Sequence, residues 1–227
     1  MSSVNAVHVQ LKAFTASFRH ILFRSGYQIS LLVPPPTTII GILMAAKGDY
    51  RLPKGIKFGY EFSYLSSTED IERTVRFKLT KNALVKQNEQ GIMHRQVLFL
   101  PVLDIYTVND DYFDYFRYPA SALTLGRSQD IAWVEKLEKI QLHACEHGWI
   151  KSTLVTENVK TRGLVFRLPS YISNERLGVV RVNGPFKTYR MVLAQEGETV
   201  EASGQGLYCI DKNGGYGHAV FMHDLSM

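Results

Sequence analysis

Cysteine is nearly missing from this chain: Cys145 and Cys209 are the two in 227 residues. Thiols so few and so isolated exclude a disulfide framework and a four-cysteine zinc site, and they fit a reducing compartment. Long apolar runs are missing too. The longest, Ile39 to Ala46, contains a glycine and falls far short of the roughly 20 residues that cross a bilayer, so no membrane span is expected. The first residues lack the basic start, apolar stretch and small-residue cleavage site of a secretory signal, which makes a cytoplasmic protein the expectation. Catalytic signatures are also absent: there is no Gly-x-Ser-x-Gly elbow and no recognisable pair of carboxylates. Gly204-Gln-Gly206 and Gly214-Gly215-Tyr-Gly217 have neither the spacing nor the strand-to-helix setting of a phosphate loop and read as turns. No linker, low-complexity stretch or long-period repeat divides the sequence. With 45% hydrophobic residues it is expected to fold as one domain over 1–227.

What is present is an uneven charge. The net charge is +5. Between Arg73 and Arg95 lie six basic residues (Arg73, Arg76, Lys78, Lys81, Lys86, Arg95) against the single acid Glu89, while the rest of the chain balances at twenty of each sign. The whole excess sits in one short segment, as a contact with phosphates requires, although a solvated hairpin would look the same.

The chain opens with alternation. Val7, Val9 and Leu11 fall on one face and His8, Gln10 and Lys12 on the other, predicting a half-buried strand. A loop with Phe18, Arg19, His20, Phe23, Arg24 and Tyr27 follows, and then Pro34-Pro35-Pro36. The next segment predicts a short buried helix, capped by Thr37 or Thr38, apolar through Ile39, Ile40, Ile42, Leu43 and Met44, and ended by Gly48. Phe58, Tyr60, Phe62 and Tyr64 predict a second strand with its rings on one face. The basic segment reads as a long hairpin whose arms alternate around Val75, Phe77 and Leu79 and around Val97 to Leu100, with a polar tip from Lys81 to Gly91. Val102 to Val108 reads as a core strand and Asp110 to Tyr118 as a short helix or turn; from Ile131 to Ile140 helical and extended readings compete. The region from about 150 to 227 is β-rich. The fold class expected is α+β.

Three groups invite a functional reading. His143, Cys145 and His147 would share a helix face, but no further pair completes a tetrahedral site, and an exposed helix end accounts for them equally well, so neither a metal nor another cofactor is expected. Phe18-Arg19-His20 precedes a helix with no acid in its first turn; free N–H groups, a guanidinium and a ring there would suit a phosphate and a base, or mere packing. Gly126-Arg127 is a tight backbone point beside a charged fork, equally explicable as a turn.

The stretches Ala16-Ser17-Phe18-Arg19-His20, Pro35-Pro36-Thr37-Thr38-Ile39-Ile40-Gly41-Ile42-Leu43 with Gly48 beyond, and Leu125-Gly126-Arg127-Ser128 together resemble the fifth family of CRISPR-associated (Cas) proteins, and its type I-B branch in particular. That family is the RAMP-superfamily subunit that caps the 5′ handle of the guide RNA (crRNA) in type I Cascade, an antiviral defence complex. The resemblance covers the layout through Ser128. It implies a ferredoxin-like domain of the RNA-recognition type with a β-hairpin thumb at about 66–98. It further implies that Phe18, Arg19, His20, Thr37, Thr38, Lys47, Gly126 and Arg127 face the handle. Arg76, Lys78, Lys81, Lys86, His94 and Arg95 would serve the thumb, against the Cascade backbone and large subunits and near target DNA. One branch of the family cuts repeat RNA without metal, using Tyr, Lys and His with the last two adjacent. This chain has no Lys-His pair, which leaves His20, Tyr27 and Lys47 as the alternative catalytic set; a protein-only scaffold is the third reading.

Overall fold

The computed structural model describes residues 3–20, 27–51, 55–80, 83–177, 180–195, 197–210 and 217–225. Strand β1 (Ser3–Ala13) buries Val7, Val9 and Leu11 on one face and Ala6 and His8 on the other, so it is a central strand rather than a half-buried one. Helix α1 (Pro36–Lys47) follows, then β2 (Lys57–Ser63), β3 (Val102–Thr107), the short α2 (Tyr112–Arg117), β4 (Ile131–Ile150), β5 (Val200–Cys209) and β6 (Ala219–Asp224). Between β2 and β3 the chain leaves the body as a hairpin with arms Ser66–Leu79 and Leu84–Phe99.

The six strands pair antiparallel in the order β4-β1-β3-β2-β6-β5. β4 is long enough to serve both edges. Its first half, Ala132 to His143, pairs with β1, and its second, His143 to Ile150, pairs with β5, so the ladder closes into a ring. This pairing on two sides decides the ambiguous segment from Ile131 in favour of strand. Two helices against nineteen strands among the described residues make the chain mostly β, and α+β only a rough fit, because α2 has just 6 residues and nearly all regular structure after it is extended.

Helix α1 has no side-chain cap. Pro35 is the N-cap and Pro36 the first helical residue, where a missing N–H costs nothing; Thr37 and Thr38, expected to cap, lie inside the first turn. Gly48 ends the helix in the left-handed region at φ 75°, its N–H donating to Met44 O at 2.9 Å. Ile39, Ile40, Ile42 and Leu43 pack with Tyr112 and Phe116 of α2 onto Val9, Leu11, Phe58, Tyr60, Phe62, Leu103 and Ile105 of the sheet. Inside the ring, Ala6, Tyr106, Leu142, Val220 and Met222 form a smaller cluster.

Two histidines report on the two faces. His223 is enclosed by the rings of Phe58, Tyr60 and Phe221, with centroids at 5.1, 5.6 and 4.9 Å, and burial pushes its pKa down to about 3. His8 stacks on Tyr106 and donates to Asp104 at 2.7 Å and Glu138 at 2.9 Å. Burial pulls its pKa down, but the hydrogen bonds and charges of the two carboxylates outweigh burial and leave it raised. The linkage has opposite signs. His223 contributes stability that is present above the ordinary 6.5 and lost as pH falls toward about 3; His8 contributes stability present below 6.5 and lost as pH rises through its raised value. We therefore expect urea midpoints to peak near neutral pH. His223→Phe should flatten the acid limb, which amounts to about 2 kcal/mol between pH 6.5 and 5, and His8→Gln the alkaline limb; an alkaline limb unchanged by His8→Gln would show that the carboxylates do not hold its proton.

Candidate nucleic-acid interface

The three sequence stretches that drew attention meet at the root of the hairpin. Ser17 is gripped from both sides: its N–H donates to Leu125 O at 3.2 Å, and its hydroxyl to Gln96 O of the hairpin at 2.9 Å. Gly126 lies against it at φ 110°, and a Cβ there would stand 2.1 Å from Ser17 O, so this contact admits only glycine. Phe18 points inward. Its ring is 2% exposed and meets Phe62 edge-on at 5.3 Å, while its N–H donates to Ser30 Oγ at 2.9 Å, so it offers no face for a base to stack on. Arg19, next in the chain, is exposed. His20 is half-buried against Phe166 at 5.7 Å, and burial lowers its pKa.

The first turn of α1 opens nearby, since Leu31 pairs with Phe18 and the chain reaches Pro34 three residues later. Tyr60 donates its hydroxyl to Pro34 O at 2.7 Å, and Thr38 N–H to Pro35 O at 2.9 Å, which pins the proline turn. The turn carries no acid. Thr37 and Thr38 are half-buried there. The positive end of the helix thus begins five residues beyond Leu31, on the segment whose strand pairs with Phe18 and Arg19.

Arg127 is placed differently from the expectation of a free phosphate fork. Nε donates to Asp130 Oδ2 at 2.9 Å, Nη2 to Asp130 Oδ1 at 2.8 Å and Nη1 to Glu72 Oε1 at 2.9 Å, with Asp70 at 3.5 Å. Asp130 is buried and also accepts from Thr15 Oγ1 at 2.6 Å. Arg95 takes Glu72 from the other arm through two bonds of 2.9 and 3.0 Å. The hydrogen bond to Asp130 raises the pKa of Arg127, and those from Arg95 and then Arg127 lower that of Glu72. Body and hairpin are therefore stitched by a continuous carboxylate–guanidinium chain, and Arg127 and Arg95 are its cations.

Above that root the hairpin projects. Fourteen residues in the first arm, at about 3.3 Å each, give an arm of about 45 Å counted from within the root. His94 is paired with Glu69 and lies beside the ring of Tyr27, so the acids Glu69, Asp70 and Glu72 are all answered near the root. The distal half keeps the positive charge. Lys78 and Lys86 are exposed; Arg76 falls at the irregularity between Val75 and Phe77, and Lys81 lies outside the described residues, as do Phe23 and Arg24. Interleaved with these cations are exposed apolar side chains, Phe77, Leu79, Leu84, Val85 and Ile92, from 50% to 78% accessible, and Ile71 is exposed nearer the root. A second exposed group, Phe14 against Trp133 at 5.3 Å, with Leu65 and Leu100, flanks the root.

The residues of the alternative catalytic set have different neighbours, although His20 N–H donates to Ile29 O at 3.2 Å, two residues beyond Tyr27. His20 lies on Phe166, Tyr27 beside His94 on the hairpin, and Lys47 at the opposite end of α1, 3.4 Å from Asp49. Nor is a metal triad assembled: His143, Cys145 and His147 lie on strand β4, not on a helix, with a bulge before His147, and no group of His, Cys, Asp or Glu that could hold an ion is found among the described residues. Sequence reading missed the carboxylates of the root. Asp130 lies three residues beyond Arg127, a spacing that was available as a signal, but Glu72 is 55 residues away and left none.

The two arginines are separable by experiment. Arg127→Ala leaves Asp130 buried without its guanidinium and should cost about 3 kcal/mol of unfolding free energy, whereas Arg19→Ala at an exposed site should stay within about 0.5 kcal/mol. Denaturation curves of equal midpoint for Arg127→Ala and the parent would show that the ion-pair chain does not hold the root.

No protein-family model and no curated protein matches this sequence. Solved structures do match its fold. The chain is similar to one in a "CRISPR RNA-guided surveillance complex", at 15% identity over 88% of this chain and 90% of that one with a TM-score of 0.56. It is likewise similar to a CRISPR protein from Archaeoglobus fulgidus, at 12% identity over 97% of this chain and 99% of that one with a TM-score of 0.52. The chain has the fold of these CRISPR-associated proteins along nearly its whole length.

Proposed function

We propose that this chain is the crRNA-binding subunit of a type I Cascade complex, holding the 5′ handle of the guide RNA at the Arg19 and α1 surface and reaching neighbouring subunits with the hairpin as a thumb. The observation that carries the reading is the hairpin: its arms run about 45 Å from a root paired to the body, and beyond that root basic and apolar side chains are interleaved and exposed. A two-stranded ribbon gains no core of its own, so such a surface needs partners. The fold shared with CRISPR-associated proteins supports the setting. The order β4-β1-β3-β2, with α1 between β1 and β2 and α2 between β3 and β4, supports a ferredoxin-like domain of the RAMP type.

On this reading the labour is divided by charge. Arg19 and the uncapped N-terminus of α1 take handle phosphates; Lys78 and Lys86, with Lys81 and Arg76, follow guide or target-strand phosphates along the thumb; and the exposed apolar residues pack on the backbone and large subunits. Arg127 and Arg95 act at one remove, by fixing the thumb. The role is binding rather than cleavage, a reading supported by Lys47 standing in the last turn of α1 against Asp49.

Fluorescence anisotropy with labelled guide RNA, in EDTA, tests this. RNA carrying the repeat-derived handle should bind more tightly than RNA lacking it, with affinity falling steeply as salt rises. Arg19→Ala should weaken handle binding with no loss of stability, and Lys78→Ala and Lys86→Ala should each lower the salt slope by about one. RNA affinity that is absent or indifferent to salt would point to a protein-only scaffold, and site-specific cutting of repeat RNA would make the chain a nuclease.

A further inference from the structure

The seam that closes the ring, between the second half of β4 and β5, carries both cysteines of the chain. In the ladder His143 stands opposite Cys209 and Cys145 opposite Leu207, so Cys145 and Cys209 are diagonal neighbours on one face of the sheet, beside the bulge between Cys145 and His147. Their sulfurs are in direct contact at 2.7 Å, and both thiols are free. Sixty-four residues separate them in sequence. Cys209 is 3% exposed and packs with Ile150, Val155, Val200, Leu207 and Phe221; Cys145 is half-buried at the rim of that cluster, which leaves it as the sulfur that solvent reaches.

We propose that Cys145 and Cys209 are a latent disulfide that a low-molecular-weight disulfide, such as oxidised glutathione, can close across the β4–β5 seam. The steps balance as thiol–disulfide exchange. Cys145 loses its proton and attacks one sulfur of the small disulfide, releasing one small thiol; Cys209 then loses its proton and displaces the second, so two protein thiols are oxidised and one small disulfide is reduced to two thiols. The attacking thiol is Cys145, because Cys209 is closed off by the cluster. Burial, with Cys209 alongside, pushes the Cys145 thiol up to about 12, so thiolate is scarce at neutral pH and the exchange is slow. The pair therefore stays reduced in a reducing cell and closes when the small-disulfide pool stays oxidised. Closure ties β5 covalently to β4, the strand that also carries β1, across a seam otherwise joined by ladder hydrogen bonds and by the packing of Ile150 on Val200 and Leu207.

The test uses the full chain under native conditions, incubated with oxidised glutathione, quenched with acid and mapped by mass spectrometry. The expected product is 2 Da lighter, with one cross-linked peptide pair joining Cys145 to Cys209, and its unfolding midpoint is higher by roughly 10 °C than that of the reduced chain. Cys145→Ser should abolish the cross-link. A chain that stops at a stable glutathione adduct, or that retains both thiols after an incubation long enough to oxidise the two cysteines of the urea-unfolded chain, would overturn the proposal. Neither outcome depends on a variant that might fail to fold.

Discussion

A hairpin whose arms run about 45 Å has no core beyond its root and must be held where it leaves the body. The hold combines the pairing of Leu98–Phe99 with Thr15–Ala16 and of His94–Arg95 with Tyr27–Gln28, the burial of Leu98 in the core, and the chain Asp130–Arg127–Glu72–Arg95, closed on the body side by Thr15 and underlaid by the contact of Gly126 with Ser17. Each member of that chain needs the others. Asp130 is buried and tolerable as a carboxylate only because Arg127 faces it with two N–H groups; Arg127 spans from body to hairpin only because Glu72 accepts its remaining donor; and Gly126 sets the backbone of that turn close enough for the fork to reach. Since the geometry is bidentate and largely out of water, it fixes direction as well as distance, which a surface salt bridge would not.

That same chain sorts the charge of the hairpin. Glu69, Asp70 and Glu72 stand at its root and are answered there by His94, Arg127 and Arg95. With those acids engaged at the root, Lys78 and Lys86 further out are exposed, and positive charge is concentrated in the part of the ribbon away from the body. The exposed apolar side chains of the ribbon point the same way. Ile71, Leu79, Leu84 and Ile92 gain nothing from solvent exposure, and their surface is of the kind that protein partners bury.

Much of this was legible in the sequence, and the failures share one cause. The alternation of β1, the rings of β2, the buried helix and the basic hairpin are local patterns with a period of their own, and each was readable from neighbours two to four residues apart. Long-range partners were not. Arg127 looked like a free fork because Glu72 lies 55 residues before it, Phe18 looked like a stacking face because Phe62 is remote in sequence, and Cys145 looked isolated because Cys209 comes 64 residues later. The stretch from Ile131 was ambiguous for a related reason: its conformation is chosen by pairing with β1 and β5, which no local period records.

The closed ring explains why the root can be a point of leverage rather than of failure. An open sheet could yield at its edge when a partner pulls on the ribbon, but here β4 is hydrogen-bonded to β1 along one half and to β5 along the other. Asp130 and Arg127 immediately precede β4, and Thr15 immediately follows β1, so force applied through the ribbon passes into two strands that are neighbours in that ring. The body is held rigid from both faces, by α1 and α2 outside and by the Tyr106 and Met222 cluster within. An orientation fixed at the root is then retained at the tip, and a ribbon aimed in this way loses less freedom on meeting its partners than a flexible one would.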